Sequence, residues 1–225
     1  MINPITENLE LVIFDVDGTL YDQSKLRSKM LLALLSYYFL RPWKFSELLI
    51  LYHFRKEREK RAGEEIVDLQ NEQFVWCAKK TNYSVKKIKA VIEKWIFNFP
   101  NKYLKDCIYP DVDTFFKELK KNNILIAIYS DYDAGLKMQS MGLKADLLVS
   151  STDENINAMK PLPNGLNYIF SALAIKNKTN CIFIGDRQEL DGRCAEIAGV
   201  PFLLIDKPQA NNFYKSLSKT LLNVS

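Results

Sequence analysis

The chain has 225 residues, nearly half hydrophobic and about a quarter charged, with a net charge of +4. That length and balance suit one sizeable core, or a core with a smaller insert, and exclude a disordered or fibrous chain. Four cysteines (Cys77, Cys107, Cys181, Cys194) and a single histidine, His53, form no zinc-ligand pattern, so the thiols are expected reduced and partly buried.

In chain order, the opening "MINPITENLE" lacks a basic start and an apolar signal core, which points to a cytoplasmic protein. "LELVIF" (residues 9–14) is a continuous apolar run, as expected for a strand covered on both faces. Asp15, Asp17, Gly18 and Thr19 follow it directly. A turn would explain these residues alone, since Asp and Gly are turn formers. The next stretch, rich in Leu, Phe, Tyr, Trp and Lys, reads as helices over roughly residues 24–40, 43–62, 64–80 and 84–98. "MLLALLSYYFL" (30–40) is too short to span a bilayer and is expected to be a buried helix. Trp43, Phe45, Phe54 and Trp76 are expected in the core of this segment.

Further apolar runs follow at 124–129, 146–150, 181–184 and 201–205. Helical patterns lie between them, in "DVDTFFKELKKNN", "PLPNGLNYIFSALAI" and "LDGRCAEIAGV". Strands alternating with helices predict an α/β fold: a Rossmann-like parallel sheet with helices on both faces. The helical insertion gives two domains, a core of residues 1–21 and 106–225 and an all-α domain of 22–105. The insertion carries 18 Lys/Arg against nine Asp/Glu, a net of +9, while the remainder is at −5. Solvated helix faces would account for this, as would attraction of an anionic ligand. No nucleic-acid module is recognisable, and no stable membrane insertion is expected. "YYFLRPWKF" would also suit a membrane surface.

In a parallel sheet, ligands bind outside the carboxyl ends of the strands. Asp15 and Asp17 follow the first strand, Ser130 and Asp131 the second, and Gly185, Asp186 and Asp191 the fourth; Lys160 comes after the third. Each cluster has a bland reading as turn or cap. Together they place acids, a hydroxyl and a lysine on one rim. Close carboxylates are costly without a compensating cation, and hard divalent ions such as Mg²⁺ prefer oxygen ligands. A phosphate ester is the substrate such a set suits.

The order "DVDGT", "YSD", "KPLP", "GDRQELD" resembles the four motifs of the haloacid dehalogenase-like (HAD) superfamily, in its phosphatase branch, with the insertion similar to a cap domain placed after the first motif. The resemblance implies an Mg²⁺-dependent phosphatase acting on a small phosphorylated metabolite; monomer and homodimer both stay open. It implies Asp15 as nucleophile, Asp17 as general acid and base, Ser130 and Lys160 as phosphoryl contacts, and Asp15, Asp17 (by its carbonyl), Asp186 and Asp191 around the metal. Glu189 could replace Asp191, and Asp131, where Asn is common, could instead cap the following helix. The dehalogenase branch lacks an Asp at the Asp17 position, which argues against carbon–halogen cleavage. A phosphomutase of the β-phosphoglucomutase type and a non-catalytic binder of phosphate esters stay open. Arg41, Lys44, His53 and Arg55 are candidates for reading the substrate beyond its phosphate.

Overall fold

The computed structural model describes residues 8–205, 207 and 210–222. The reading of the N-terminus as lacking an export signal thus falls largely on residues outside that set. Strands β1 (Leu11–Phe14), β2 (Leu125–Ser130), β3 (Leu147–Ser150), β4 (Cys181–Gly185) and β5 (Phe202–Leu204) form one parallel sheet in the order β3-β2-β1-β4-β5. The expected strands are all present, with ends moved by one or two residues.

Helices α1 (Gln23–Phe39), α2 (Glu47–Lys60), α3 (Leu69–Thr81), α4 (Val85–Ile92) and α5 (Asn101–Leu104) separate β1 from the rest. Then come α6 (Val112–Lys121), α7 (Gly135–Met141), α8 (Asn164–Ala172), α9 (Arg193–Ala198) and α10 (Ala210–Leu222). Neither α7 nor α10 was among the helices expected from the sequence.

The central strands β1, β2 and β4 are apolar along most of their length because both faces are covered, whereas the edge strands β3 and β5 leave Leu148 and Leu204 exposed. Val12, Phe14, Ile126, Ile128, Ile182 and Ile184 pack with Phe115, Phe116 and Leu119 of α6 and Tyr214 and Leu217 of α10. The alternate residues Leu11, Ile13, Ala127, Tyr129 and Phe183 meet Leu166 and Ile169 of α8 and Cys194 and Ala195 of α9. Each fully buried Val, Leu, Ile or Phe side chain among these contributes about 1.5–3 kcal/mol. All four cysteines are buried and free.

The helical segment has a hydrophobic cluster of its own, built on Ile50, Phe54, Phe74, Ile88, Ile92 and Trp95. At its two ends, Leu26, Leu104 and Cys107 belong instead to the cluster under the sheet. Three backbone hydrogen bonds tie residues 63–66 to the loop before Lys160: Gly63 N–H to Lys160 O (3.1 Å), Met159 N–H to Glu64 O (3.1 Å) and Ile66 N–H to Asn157 O (2.8 Å). This pairing explains why α3 begins at Leu69 and not at 64, since those backbone groups are already committed elsewhere. Pro42 likewise confines residues 42–44 to a single 3₁₀ turn ahead of α2.

One expectation is overturned. The helix at 30–40 forms, but it is not buried: Leu32 is 67% and Phe39 83% exposed. Trp43 and Phe45 are also exposed, whereas Phe54 and Trp76 are buried as expected. The reason is geometric. α1 is apolar around most of its circumference, yet neighbours lie along only one side of it, against Met30, Ala33, Leu34 and Tyr37.

Candidate active site

Register brings the strand ends to a common level. Phe14 of β1 is in register with Ile128 of β2 and Ile184 of β4, so Asp15, Ser130 and Asp186 emerge within two residues of one line. The Asp15 N–H donates to Ile184 O (2.9 Å), which holds the first acid at the sheet's edge. Gly18 then turns the chain with φ +92°, and a Cβ there would collide with the Asp186 carboxylate. A Cβ on Gly185 would stand 2.6 Å from Asp191. The site is thus packed backbone against carboxylate.

At its centre, the buried Lys160 ammonium donates to Asp15 Oδ1 and to Asp191 Oδ1, both at 2.8 Å. Thr19 Oγ1 donates to Asp15 Oδ2 (3.1 Å), and the Arg187 N–H to Asp191 Oδ2 (3.2 Å). Asp186 pairs with Lys207 at 2.9 Å. Carboxylate oxygens of Asp15, Asp186 and Asp191 lie within 4.8 Å of one another, close enough to share one cation. Burial and the neighbouring Asp191 and Asp17 charges push the Asp15 carboxyl up against the pull of Lys160. Burial also raises Asp191, and burial with Asp15 raises Asp186. Lys160, with the more exposed Lys207 at the edge, does not fully offset three acids in so little water. A hard divalent cation among these oxygens would return them to the charged form.

Asp17 is held differently. Its Oδ1 accepts from both Tyr21 Oη and the buried Lys137 Nζ. Burial alone would push this carboxyl up, but the Lys137 charge and hydrogen bond prevail and hold it below its ordinary value. Lys137 and Tyr21 escaped the sequence reading. A signal existed for Lys137: it shares the inward stripe of α7 with Ala134, Met138 and Met141, where a lysine needs a partner. For Tyr21, four residues after Asp17, no sequence signal marked the contact.

Other candidates are dispersed. Glu189 turns outward to Arg187 Nε (2.8 Å), leaving Asp191 as the acid beside Lys160. Asp131 does not cap the next helix: its Oδ1 accepts from Ser151 Oγ (3.2 Å), while Asp133 receives the Gly135 N–H (2.8 Å). Proximity to the Ser151 hydroxyl satisfies Asp131 more directly than a helix start four residues on. Ser130 is buried, and its Oγ accepts weakly from the Tyr132 N–H (3.4 Å). Among the described residues, no hydrogen bond or ion pair joins Arg41, Lys44, His53 or Arg55 to the strand ends. Arg58 makes that reach instead, donating to Asp131 O and Gln73 Oε1, each at 2.7 Å, with its guanidinium 4.3 Å from the Tyr132 ring centre. Beside this bridge a cavity of about 250 Å³ is lined by Gln73, Phe97, Tyr132, Leu136 and Thr152, among others.

The arrangement can therefore carry nucleophilic attack by Asp15, proton transfer at Asp17 and electrostatic support by Lys160. Comparison with known proteins agrees on the frame. The family model for haloacid dehalogenase-like hydrolases matches residues 12–205. No curated protein matches the sequence. Among solved structures, the magnesium-bound HAD-hydrolase YfnB of Bacillus subtilis superposes with a TM-score of 0.63 at 16% identity, covering 97% of this chain and 100% of its own. A HAD phosphatase from Thermococcus onnurineus gives 0.60 at 19% identity, covering 94% and 97%. The 2-haloacid dehalogenase of Pseudomonas syringae pv. Tomato DC3000 gives 0.61 at 16%, covering 94% and 99%. Likenesses this distant speak to fold, and they divide between phosphatase and dehalogenase. The motif order, the five-stranded parallel sheet and the family match agree: the chain is a member of the haloacid dehalogenase-like hydrolase family.

Proposed function

We propose that the protein is an Mg²⁺-dependent phosphatase that hydrolyses a small phosphate monoester through an aspartyl-phosphate on Asp15. The observation that carries the reading is Asp17. A second carboxylate stands two residues after the nucleophile, held by Tyr21 and Lys137, in the position where the dehalogenase branch has no acid. Carbon–halogen cleavage needs no proton delivered to the leaving halide; ester cleavage does.

In the first step an Asp15 carboxylate oxygen attacks phosphorus. The P–O bond to the alcohol breaks, and the leaving oxygen takes a proton from the Asp17 carboxyl. In the second step water attacks the acyl phosphate and passes a proton to Asp17. The P–O bond to Asp15 breaks, releasing inorganic phosphate and restoring the carboxylate. Because Lys137 favours the charged form of Asp17, the resting group is set as a base, and its acid role requires a proton taken up with the substrate. Such acid–base help is worth about 10²–10⁴-fold. Lys160 keeps Asp15 oriented and offsets the incoming dianion, and Ser130 supplies a hydroxyl to a phosphoryl oxygen.

Asp15, the Asp17 carbonyl, Asp186 and Asp191 would hold Mg²⁺, which when bound neutralises charge between nucleophile and phosphate. The helical segment then acts as a cap, with Arg58 and the small cavity beside it limiting the organic part of the substrate.

The test is phosphate release from an aryl phosphate with Mg²⁺ and with chelator, in the native chain and in Asp15→Asn, alongside halide release from a 2-haloacid. Metal-dependent phosphate release lost by at least about 10⁴-fold in the variant is expected. Halide release, or equal phosphate release in both proteins, would overturn the assignment.

A further inference from the structure

Among the described residues, nine of the fifteen exposed large hydrophobics fall within residues 31–52, the corner formed by α1, the 42–44 turn and the start of α2. Exposed apolar side chains are ordinary when scattered, but a contiguous patch marks a contact surface. Leu31, Leu35 and Phe39 repeat every four residues down the outer face of α1, with Leu32 beside them. Leu40 and Trp43, 67% and 74% exposed, extend the patch around the corner.

The charge around the patch has one sign. Residues 23–46 contain five Lys/Arg and no Asp or Glu. Arg41, Lys44 and Lys94 gather round one ring: the Arg41 guanidinium is 4.6 Å, Lys44 Nζ 5.9 Å and Lys94 Nζ 3.6 Å from the Tyr37 centroid. Among the described residues none of the three has a carboxylate partner: Glu47, the acid nearest in sequence to Arg41 and Lys44, is buried and accepts from Tyr38 Oη (3.2 Å), and Glu93, next to Lys94 in sequence, makes no ion pair. The tyrosine responds to this cluster, its hydroxyl lowered by the nearby Lys94 and by Lys44 Nζ, which donates to it at 3.3 Å.

We propose that this corner docks the protein reversibly on an anionic lipid bilayer, with Leu35, Phe39, Leu40 and Trp43 inserted and Arg41, Lys44 and Lys94 at the level of the lipid phosphates. The order of the chemistry across the patch matches that of a bilayer leaflet: aromatic and aliphatic tips outermost, cations at their margin. A second copy of the chain fits worse. A two-fold contact through the same patch would bring both sets of uncompensated cations together. Docking needs no crossing, and among the described residues no helix is long and apolar enough for one. The surface adds a location to the proposed phosphatase and stands independently of it, because binding can be read without turnover.

The experiment uses the full chain with vesicles of phosphatidylglycerol and phosphatidylcholine, and with phosphatidylcholine alone, at low and high salt. Co-sedimentation and tryptophan emission are read together. Trp76 and Trp95 are buried, so Trp43 is the exposed reporter among the three tryptophans. The expected result is pelleting with anionic vesicles only, weakened by salt, with an emission blue shift that Trp43→Phe abolishes. Arg41→Gln combined with Lys44→Gln should weaken binding by roughly tenfold or more. Phe39→Glu should remove it with the far-ultraviolet dichroism unchanged. The double Gln variant, at two partly exposed positions, keeps the test valid should Phe39→Glu fold poorly. No pelleting with anionic vesicles at low salt would overturn the proposal, as would equal binding to neutral vesicles. Concentration-dependent self-association abolished by Phe39→Glu, without vesicle binding, would also overturn it and assign the patch to a second copy.

Discussion

The rim of the sheet and the corner of the helical segment invert the usual placement of residues. At the rim, the ionisable Asp15, Lys160 and Asp191 are buried, with one ammonium shared between two carboxyl groups at 2.8 Å. At the corner, Leu32, Phe39 and Trp43 are apolar and exposed, beside cations that have no carboxylate partner among the described residues. Buried charge without compensation, like exposed apolar surface without cover, is costly. A chain keeps either only where something outside the folded chain completes it. At the rim a phosphoryl group and a cation would do so, at the corner an anionic surface.

Lys160→Met breaks the rim most severely. It leaves two buried carboxylates facing each other and should destabilise the protein by about 3–5 kcal/mol. Chemical denaturation would check this, and added Mg²⁺ should recover part of the loss if the carboxylates then share the ion. A smaller effect is expected from Gly18→Ala, where positive φ and collision with Asp186 combine. It should cost about 1–3 kcal/mol and weaken metal affinity, seen in melting curves at rising Mg²⁺. Lys137→Met should leave stability closer to native but lower kcat for phosphate release by roughly tenfold or more, because Asp17 loses the cation that orients it. Partial rescue by Lys137→Arg would separate orientation by a cation from simple filling of space.

The mildest prediction concerns the helical segment. Hydrogen bonds from Lys60 and then Arg61 pull Glu57 from 4.5 down to about 2. A lowered carboxyl stabilises the fold above its unfolded value, and that contribution is lost as pH falls through the folded one. The Tm difference between native and Glu57→Gln should therefore be constant near neutrality and shrink between pH 4.5 and about 2. A difference that instead grows on acidification would remove Glu57 as the group responsible.

Much of this was legible in the sequence for a local reason. Continuous apolar runs require strands covered on both faces, so the five strands and their order of appearance could be read directly. Polar clusters following those runs must emerge at the strands' carboxyl ends, so Asp15, Ser130, Lys160, Asp186 and Asp191 could be grouped before any coordinates. The pairing of Asp17 with Lys137 was not legible, because the two are 120 residues apart and only the tertiary placement of α7 brings them together. Nor was the outward face of α1. Its composition specifies a helix that would accept burial on nearly every side, but how many sides find neighbours depends on how the other helices pack. The sequence by itself determined which residues favour strand, helix and turn, since those preferences act over a few residues. Tertiary structure alone decided which charges met and which apolar face was left uncovered, since both depend on contacts between distant parts of the chain.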